Sequence, residues 1–169
     1  MTLDATQLSL EDRIQVLEDY EAIRQVMFRY AAGMDRNFDA DAIAELFVED
    51  ATWSISPSSS VSGTHSGREA IREFFAGLTR EYSWTMHNVG NELITIADDG
   101  QSATGTWYLV DPCTMLINGE ERAAFITGKY DNAFTKQNGR WYLQRLTARL
   151  NQVSSWDKGW IVEPWLVGS

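Results

Sequence analysis

Near Thr85 the hydrophobic rhythm of the chain changes period, and that change governs what it can fold into. Before it, Leu10, Ile14, Leu17, Ile23, Val26, Met27, Tyr30 and Met34 recur mostly at steps of three and four, which describes one face of a long amphipathic helix. Ser9, with Asp12 three residues on, supplies a start signal, and Gly33 with the polar Asp35-Arg36-Asn37 ends the helix. Asp39 is placed to cap a short second helix carrying Ile43, Leu46 and Phe47, and a brief strand is predicted over 51–55. Pro57 and the serines at 58–60 mark a loop. Ser66-Gly67-Arg68-Glu69 reads as a capping box ahead of a third helix, whose stripe is Ile71, Phe74, Phe75 and Leu78. After Thr85 the period is two. β-Branched and aromatic residues alternate there, interrupted by Asp99-Gly100, Asn118-Gly119 and Asn138-Gly139, dipeptides that favour hairpin turns, so four long antiparallel strands are expected.

Helices first and a meander afterwards predict an α+β fold: a cone-shaped, curved antiparallel sheet, an α+β barrel left half-open, covered by three N-terminal helices. A chain of 169 residues with 44% apolar side chains supports one domain over 1–169. Its core is expected at about 10–153. Residues 154–169 form an aromatic tail without clear period, which is expected to lie across a groove, a pocket mouth or a neighbouring subunit.

Charge and composition then narrow the function. Fourteen basic against twenty-four acidic residues, with no Lys/Arg cluster to follow a phosphate backbone, argue against nucleic acid. No run approaches the length of a membrane span and Met1 to Ser9 lack the pattern of a signal peptide, so no membrane partner and a cytoplasmic location are expected. Cys113 is the only cysteine and is read as a buried, inert thiol. The two histidines do not lie at ligand spacing, so no metal site is expected, and no cofactor motif is present. Seven Trp, seven Phe and six Tyr exceed what a small core needs, which favours an aromatic-lined cavity or a subunit interface.

Several short stretches carry a family resemblance: Tyr30-Ala-Ala-Gly-Met-Asp35, Leu46-Phe47-Val-Glu-Asp50-Ala51, Gly67-Arg68-Glu69-Ala70-Ile71, Met86-His87-Asn-Val-Gly-Asn91, and Gly128-Lys-Tyr130 before Gly139-Arg-Trp141. Taken in this order over about 12–152, the chain resembles the SnoaL-like family of the nuclear transport factor two superfamily. The pairing of Tyr30 and Asp35 with His87 is similar to scytalone dehydratase, bile-acid dehydratase and the lindane dehydrochlorinase group, which are cofactor-free lyases. By that resemblance Asp35, at the end of the first helix, and His87, on the first long strand, form a dyad facing the cavity, while Tyr30 offers a hydrogen bond to a substrate oxygen. An Arg from the last long strand belongs to some members' sites. Arg145 and Arg149 are both available, and their shared parity with Trp141 places all three on one strand face.

The chemistry accounts for these residue types. Proton abstraction from carbon or an alcohol needs a base that titrates near operating pH, which histidine does, and a carboxylate beside it fixes the tautomer and supports the imidazolium. The adverse helix dipole at Asp35 is expected to raise its proton affinity if that end is buried. An Arg would hold a carboxylate, a phenolate or a developing oxyanion. Asn91, Trp53, Trp107 and Tyr130 are candidate substrate contacts. His65 is read as a polar-loop residue between Gly63 and Gly67.

The leading expectation is a cofactor-independent lyase for a hydrophobic, aromatic, hydroxylated small molecule. It would act by dehydration or by retro-aldol loss of formaldehyde, as diarylpropane lyases of the superfamily do. Two alternatives stand beside it: a ketosteroid-type isomerase with Asp35 as shuttle and Tyr30 as oxyanion donor, and a non-catalytic domain that binds a small ligand. A homo-oligomer, dimer or trimer, is expected because the back of a cone sheet is otherwise left exposed.

Overall fold

The computed structural model describes residues 9–56 and 63–166; the loop read at Pro57 and serines 58–60, the first eight residues and the last three lie outside the described residues. Helix α1 (Leu10–Asp35) starts where the sequence places it, the Ser9 hydroxyl accepting the Asp12 N–H at 3.1 Å. Its apolar stripe is buried only in part. Ile23, Val26, Met27, Tyr30 and Met34 are buried, whereas Leu10, Ile14 and Leu17 are exposed because the first turns overhang the rest of the chain. The helix is anchored at Asp19, a buried carboxylate that accepts the Trp141 indole N–H at 2.8 Å and pairs with Lys136 Nζ at 2.7 Å.

Asp39 caps helix α2 (Ala40–Ala44) by accepting the Ala42 N–H at 3.1 Å. This helix is shorter than predicted. Phe47, read as part of its stripe, instead opens strand β1 (Phe47–Ser56), and the chain turns back along β2 (Gly63–Ser66). The capping box does not form, because Ser66 is paired with Thr52 in that hairpin. Helix α3 (Arg68–Leu78) starts instead from Gly67 at φ 89°, a left-handed setting suited to glycine, with no side-chain cap. His65 is likewise not in a loop: it lies on β2 and stacks on Phe74 with ring centres 4.1 Å apart.

From Tyr82 the chain is a meander of β3 (Tyr82–Thr85), β4 (Asn88–Ile96), β5 (Ser102–Ile117), β6 (Glu120–Gln137) and β7 (Arg140–Ser155). Asn118 and Asn138 turn the last two hairpins at φ 54° and 52°, each followed by a glycine with positive φ, as the primed hairpin turns require. The strands form one curved, unclosed sheet in the order β2-β1-β7-β6-β5-β3, with β4 also paired to β5. β1 runs parallel to β7, and the remaining pairs are antiparallel. The inner face of the sheet and the buried side of the helices share one core, which includes Met27, Tyr30, Phe47, Phe75, Trp107, Phe134, Leu143 and Leu146.

Two irregularities aim side chains. Between β6 and β7, Ala133 faces Arg145 while Phe134 faces Leu143, which leaves Gln144 as an extra residue and reverses the inside-outside alternation beyond it. Trp141 and Leu143 point to the core before this bulge; Leu146, Ala148 and Leu150 do so after it. Between β4 and β5 the register shifts from Gly90 to Leu93, and Asn91 occupies the bend at φ 53°. The tail folds back on the sheet. A short helix α4 (Gly159–Val162) leads to Trp165, and the Leu166 N–H donates to the Val153 carbonyl at 2.6 Å.

Gly128 lies at a further irregularity, where a Cβ would meet the Arg149 carbonyl oxygen at 2.4 Å. Backbone cannot yield there as a side chain can. Gly128→Ala is expected to destabilise the fold by about 1–3 kcal/mol, the usual cost of overpacking, read as a lower urea midpoint with the slope unchanged.

Candidate active site

The open side of the sheet, roofed by the end of α1 and by α3, forms a cavity with about 70 Å³ of space for the centres of water-sized molecules. Its walls are mainly apolar. Met34, Phe38, Trp53, Phe74, Leu109 and Ile126 are among them, with Val153 joining from the β7 end against which the tail packs. The polar groups in the lining are few: Tyr30, Tyr82, Thr85, His87, Asp111, Tyr130 and the Trp53 indole N–H.

His87 lies in the two-residue link between β3 and β4, not within a long strand as expected, and its side chain is only 5% exposed. Asp35, the last residue of α1, fixes it: one oxygen, Oδ1, accepts both the His87 backbone N–H and the ring Nδ1, each at 2.9 Å. The Thr85 hydroxyl adds a third bond to that oxygen at 3.2 Å. The remote parts of the chain meet as the resemblance implies, with one difference. Asp35 stands behind the imidazole and is not part of the cavity wall.

The expected rise in the proton affinity of Asp35 is reversed. Partial burial does push its carboxyl up, but the hydrogen bonds from the His87 ring and backbone, the His87 charge and the Thr85 hydroxyl together hold it below its ordinary range. An ionised Asp35 receives a proton-bearing Nδ1, so Nε2 is the ring nitrogen left for chemistry.

Nε2 faces a group that the sequence reading missed. Asp111, on the inner face of β5, places Oδ2 3.6 Å from His87 Nε2, while Oδ1 accepts the Met86 N–H at 3.2 Å. Burial pushes its carboxyl above the ordinary range, against the opposing pull of the His87 charge and the Met86 N–H. A signal was present: Trp107, Leu109, Asp111, Cys113 and Met115 alternate on one strand face, and an acid in such a row is forced indoors. Cys113 is buried as expected, with its thiol pushed up by burial and by Asp111.

Tyr30 and Tyr130 line the cavity edge-to-face, ring centres 5.7 Å apart. The Trp53 indole N–H donates to the Tyr30 hydroxyl oxygen at 2.9 Å, a bond that does not use the Tyr30 O–H, and the Tyr130 hydroxyl is a second hydrogen-bonding neighbour of that group. Burial raises both phenols well above their ordinary value, so they are donors rather than phenolates. Trp53 is thus a lining residue that also orients Tyr30.

The remaining candidates lie elsewhere. Arg145 and Arg149 share no face with Trp141, because the Gln144 bulge intervenes; both point outward and pair with Asp131 at 3.7 and 3.3 Å. Asn91 is exposed at the β4 bend. Trp107 is fully buried against Phe134, outside the cavity lining. Among the described residues no group of three or more His, Cys, Asp or Glu is disposed to hold a metal ion, since the two carboxylates flank the imidazole instead of converging with it. None of the described helices is long and apolar enough to cross a membrane.

Residues 15–147 match the model of the SnoaL-like domain. The chain belongs to that family. Three solved structures similar to this family member share its fold. A candidate aromatic ring hydroxylase from Novosphingobium aromaticivorans DSM is 26% identical over 82% of this chain and 94% of its own, with a TM-score of 0.72. A candidate scytalone dehydratase from N. aromaticivorans DSM 12444 is 23% identical over 85% and 91%, with a TM-score of 0.73. A hexachlorocyclohexane dehydrochlorinase of type 2 is 19% identical over 85% and 92%, with a TM-score of 0.75. The cone-like α+β fold read from the sequence of this SnoaL-like domain therefore stands, as NTF2-like and cystatin-like relatives also show.

The Asp35 geometry fixes the sign of a pH effect. A carboxyl held below its unfolded value stabilises the fold above that value and loses the contribution as pH falls through the folded one. The stability gap between wild type and Asp35→Asn, from urea unfolding, is expected to be constant above about pH 5 and to close below about pH 4. A gap independent of pH would show that the carboxylate charge does not hold the junction together.

Proposed function

We propose that this SnoaL-like domain is a cofactor-independent lyase that uses His87 as the proton-handling group on a hydrophobic, aromatic, hydroxylated small molecule. The observation that carries the reading is the imidazole, held at Nδ1 by Asp35 and turning Nε2 toward the apolar cavity and Asp111. The family and its dehydratase and dehydrochlorinase neighbours support the same reaction class.

In a dehydration, Nε2 takes a proton from a substrate carbon and the electron pair forms a double bond. The hydroxyl on the neighbouring carbon leaves as water with the proton carried by Asp111. In the formaldehyde route, Nε2 takes the proton of a primary alcohol, whose carbon departs as the aldehyde when the carbon–carbon bond breaks. The released pair then expels the neighbouring hydroxyl, again with the Asp111 proton. A raised carboxyl suits Asp111 to the acid step, and Asp35 steadies the imidazolium formed in between. Tyr30 serves as a neutral donor to a substrate oxygen. The isomerase alternative has less support, because Asp35 lies behind His87 and would not reach a substrate carbon directly.

The test is incubation of purified protein, without added cofactor or metal, with two-ring hydroxylated aromatics, with products followed by mass. Loss of water or formaldehyde is expected, and His87→Ala is expected to lower kcat by about 100-fold or more with the circular dichroism spectrum retained. Products of unchanged mass would instead identify an isomerase. No turnover on any of these compounds would count against the lyase reading.

A further inference from the structure

The cavity holds acids without a counter-cation, and this bears on what it admits. Among the described residues no Lys or Arg lines it. The segments at 1–8, 57–62 and 167–169 contain neither residue type. The arginines expected at the site, Arg145 and Arg149, are on the outer face with Asp131, and Lys136 is occupied by Asp19.

The charge of the site follows from counting protons. Asp35 is ionised and Nδ1 bears a proton. The 3.6 Å gap between Nε2 and Asp111 Oδ2 cannot comfortably face a lone pair with a carboxylate, so a further proton resides on one side or the other. Either placement, imidazolium with carboxylate or imidazole with carboxylic acid, leaves the three groups with a net charge of −1. Loss of that proton makes it −2. An anionic guest would enter a low-dielectric space against this charge, with its own hydration lost and only neutral hydroxyl donors, no lysine or arginine, to replace it. The net −10 of the chain acts in the same direction at longer range.

We infer that Asp111 makes this cavity selective for substrates that are uncharged in the part that enters it, and that the site excludes carboxylates and phenolates. This rests on the proposed reading of the cavity as the substrate site. It also replaces the Arg-held anion suggested by the sequence with its opposite, a neutral alcohol or ether presented to His87. In the lyase reaction the leaving oxygen would thus depart with a proton from the site, since no Lys or Arg among the described residues lines the cavity to receive it as an anion.

The test is calorimetric binding at pH 8 of two matched probes: a biphenyl with a hydroxymethyl group at each para position, and the same biphenyl with two carboxylates. Charge at both ends prevents entry by a neutral end. The diol is expected to bind at least tenfold more tightly than the dicarboxylate to the wild-type protein. Asp111→Asn, which keeps an acceptor for the Met86 N–H and removes the group whose ionisation takes the site from −1 to −2, is expected to narrow that gap at least fivefold. Asp111→Ser serves the same purpose if the first variant does not fold, and the wild-type comparison depends on neither. Equal or tighter binding of the dicarboxylate, an unchanged gap in a folded neutral variant, or binding of neither probe at millimolar concentration would overturn the inference. Diol binding with no product from any hydroxylated aromatic would instead sink the lyase reading and leave the charge selectivity intact.

Discussion

The architecture of the site depends on one oxygen. Asp35 Oδ1 takes hydrogen bonds from the backbone and ring of His87 and from Thr85, and so fastens the end of the longest helix to the link between two strands. These three donors, together with the His87 charge, outweigh the penalty of partial burial. The backbone bond sets where His87 is, and the ring bond sets how it points. A histidine in a short link between strands would otherwise be free to turn to solvent. Here it is enclosed, with one nitrogen committed and the other presented.

Elements with long, repeated patterns were legible in the sequence. The period change near Thr85, the Asn-Gly turns and the apolar stripe of α3 each repeat a local rule several times, and the fold obeys them. What failed rested on single residues in competition with tertiary pairing. Ser66 had a capping motif but was drawn into a strand, and Phe47 had helical spacing but was claimed by the sheet. The overhang of Leu10, Ile14 and Leu17 escaped notice for a related reason: a stripe tells which side of a helix is apolar, not how far its partner extends.

Asp35 and His87, paired by the family resemblance, do meet in the structure, whereas strand parity misplaced Arg145 and Arg149. One inserted residue, Gln144, is sufficient to turn Arg145 and Arg149 outward, because alternation has a period of two and a bulge consumes one step. Nothing in the side chain of Gln144 marks it as the extra residue. Asp111 was the opposite case, since no bulge intervenes along its strand and strict alternation places it beside Leu109 and Cys113. An acid in an apolar row has no structural benefit comparable to its cost of burial. Under the proposed reading, its position against Nε2 gives that cost a function.

The polar groups of the cavity can be ordered by what each leaves unsatisfied. Asp35 Oδ1 takes three donors, and Trp53 spends its N–H on Tyr30. The unspent groups are a hydroxyl proton of the Tyr30 and Tyr130 pair, Nε2, and Asp111 Oδ2, which has no donor of its own among the described contacts. These are two proton carriers and one hydrogen-bond donor in an apolar enclosure that no Lys or Arg among the described residues lines. Such a set can take a proton at one point of a substrate and return one at another, but it cannot neutralise a lasting negative charge. Under the proposed reading, the same arrangement that suits paired proton transfer would limit the site to guests that begin and end the reaction neutral.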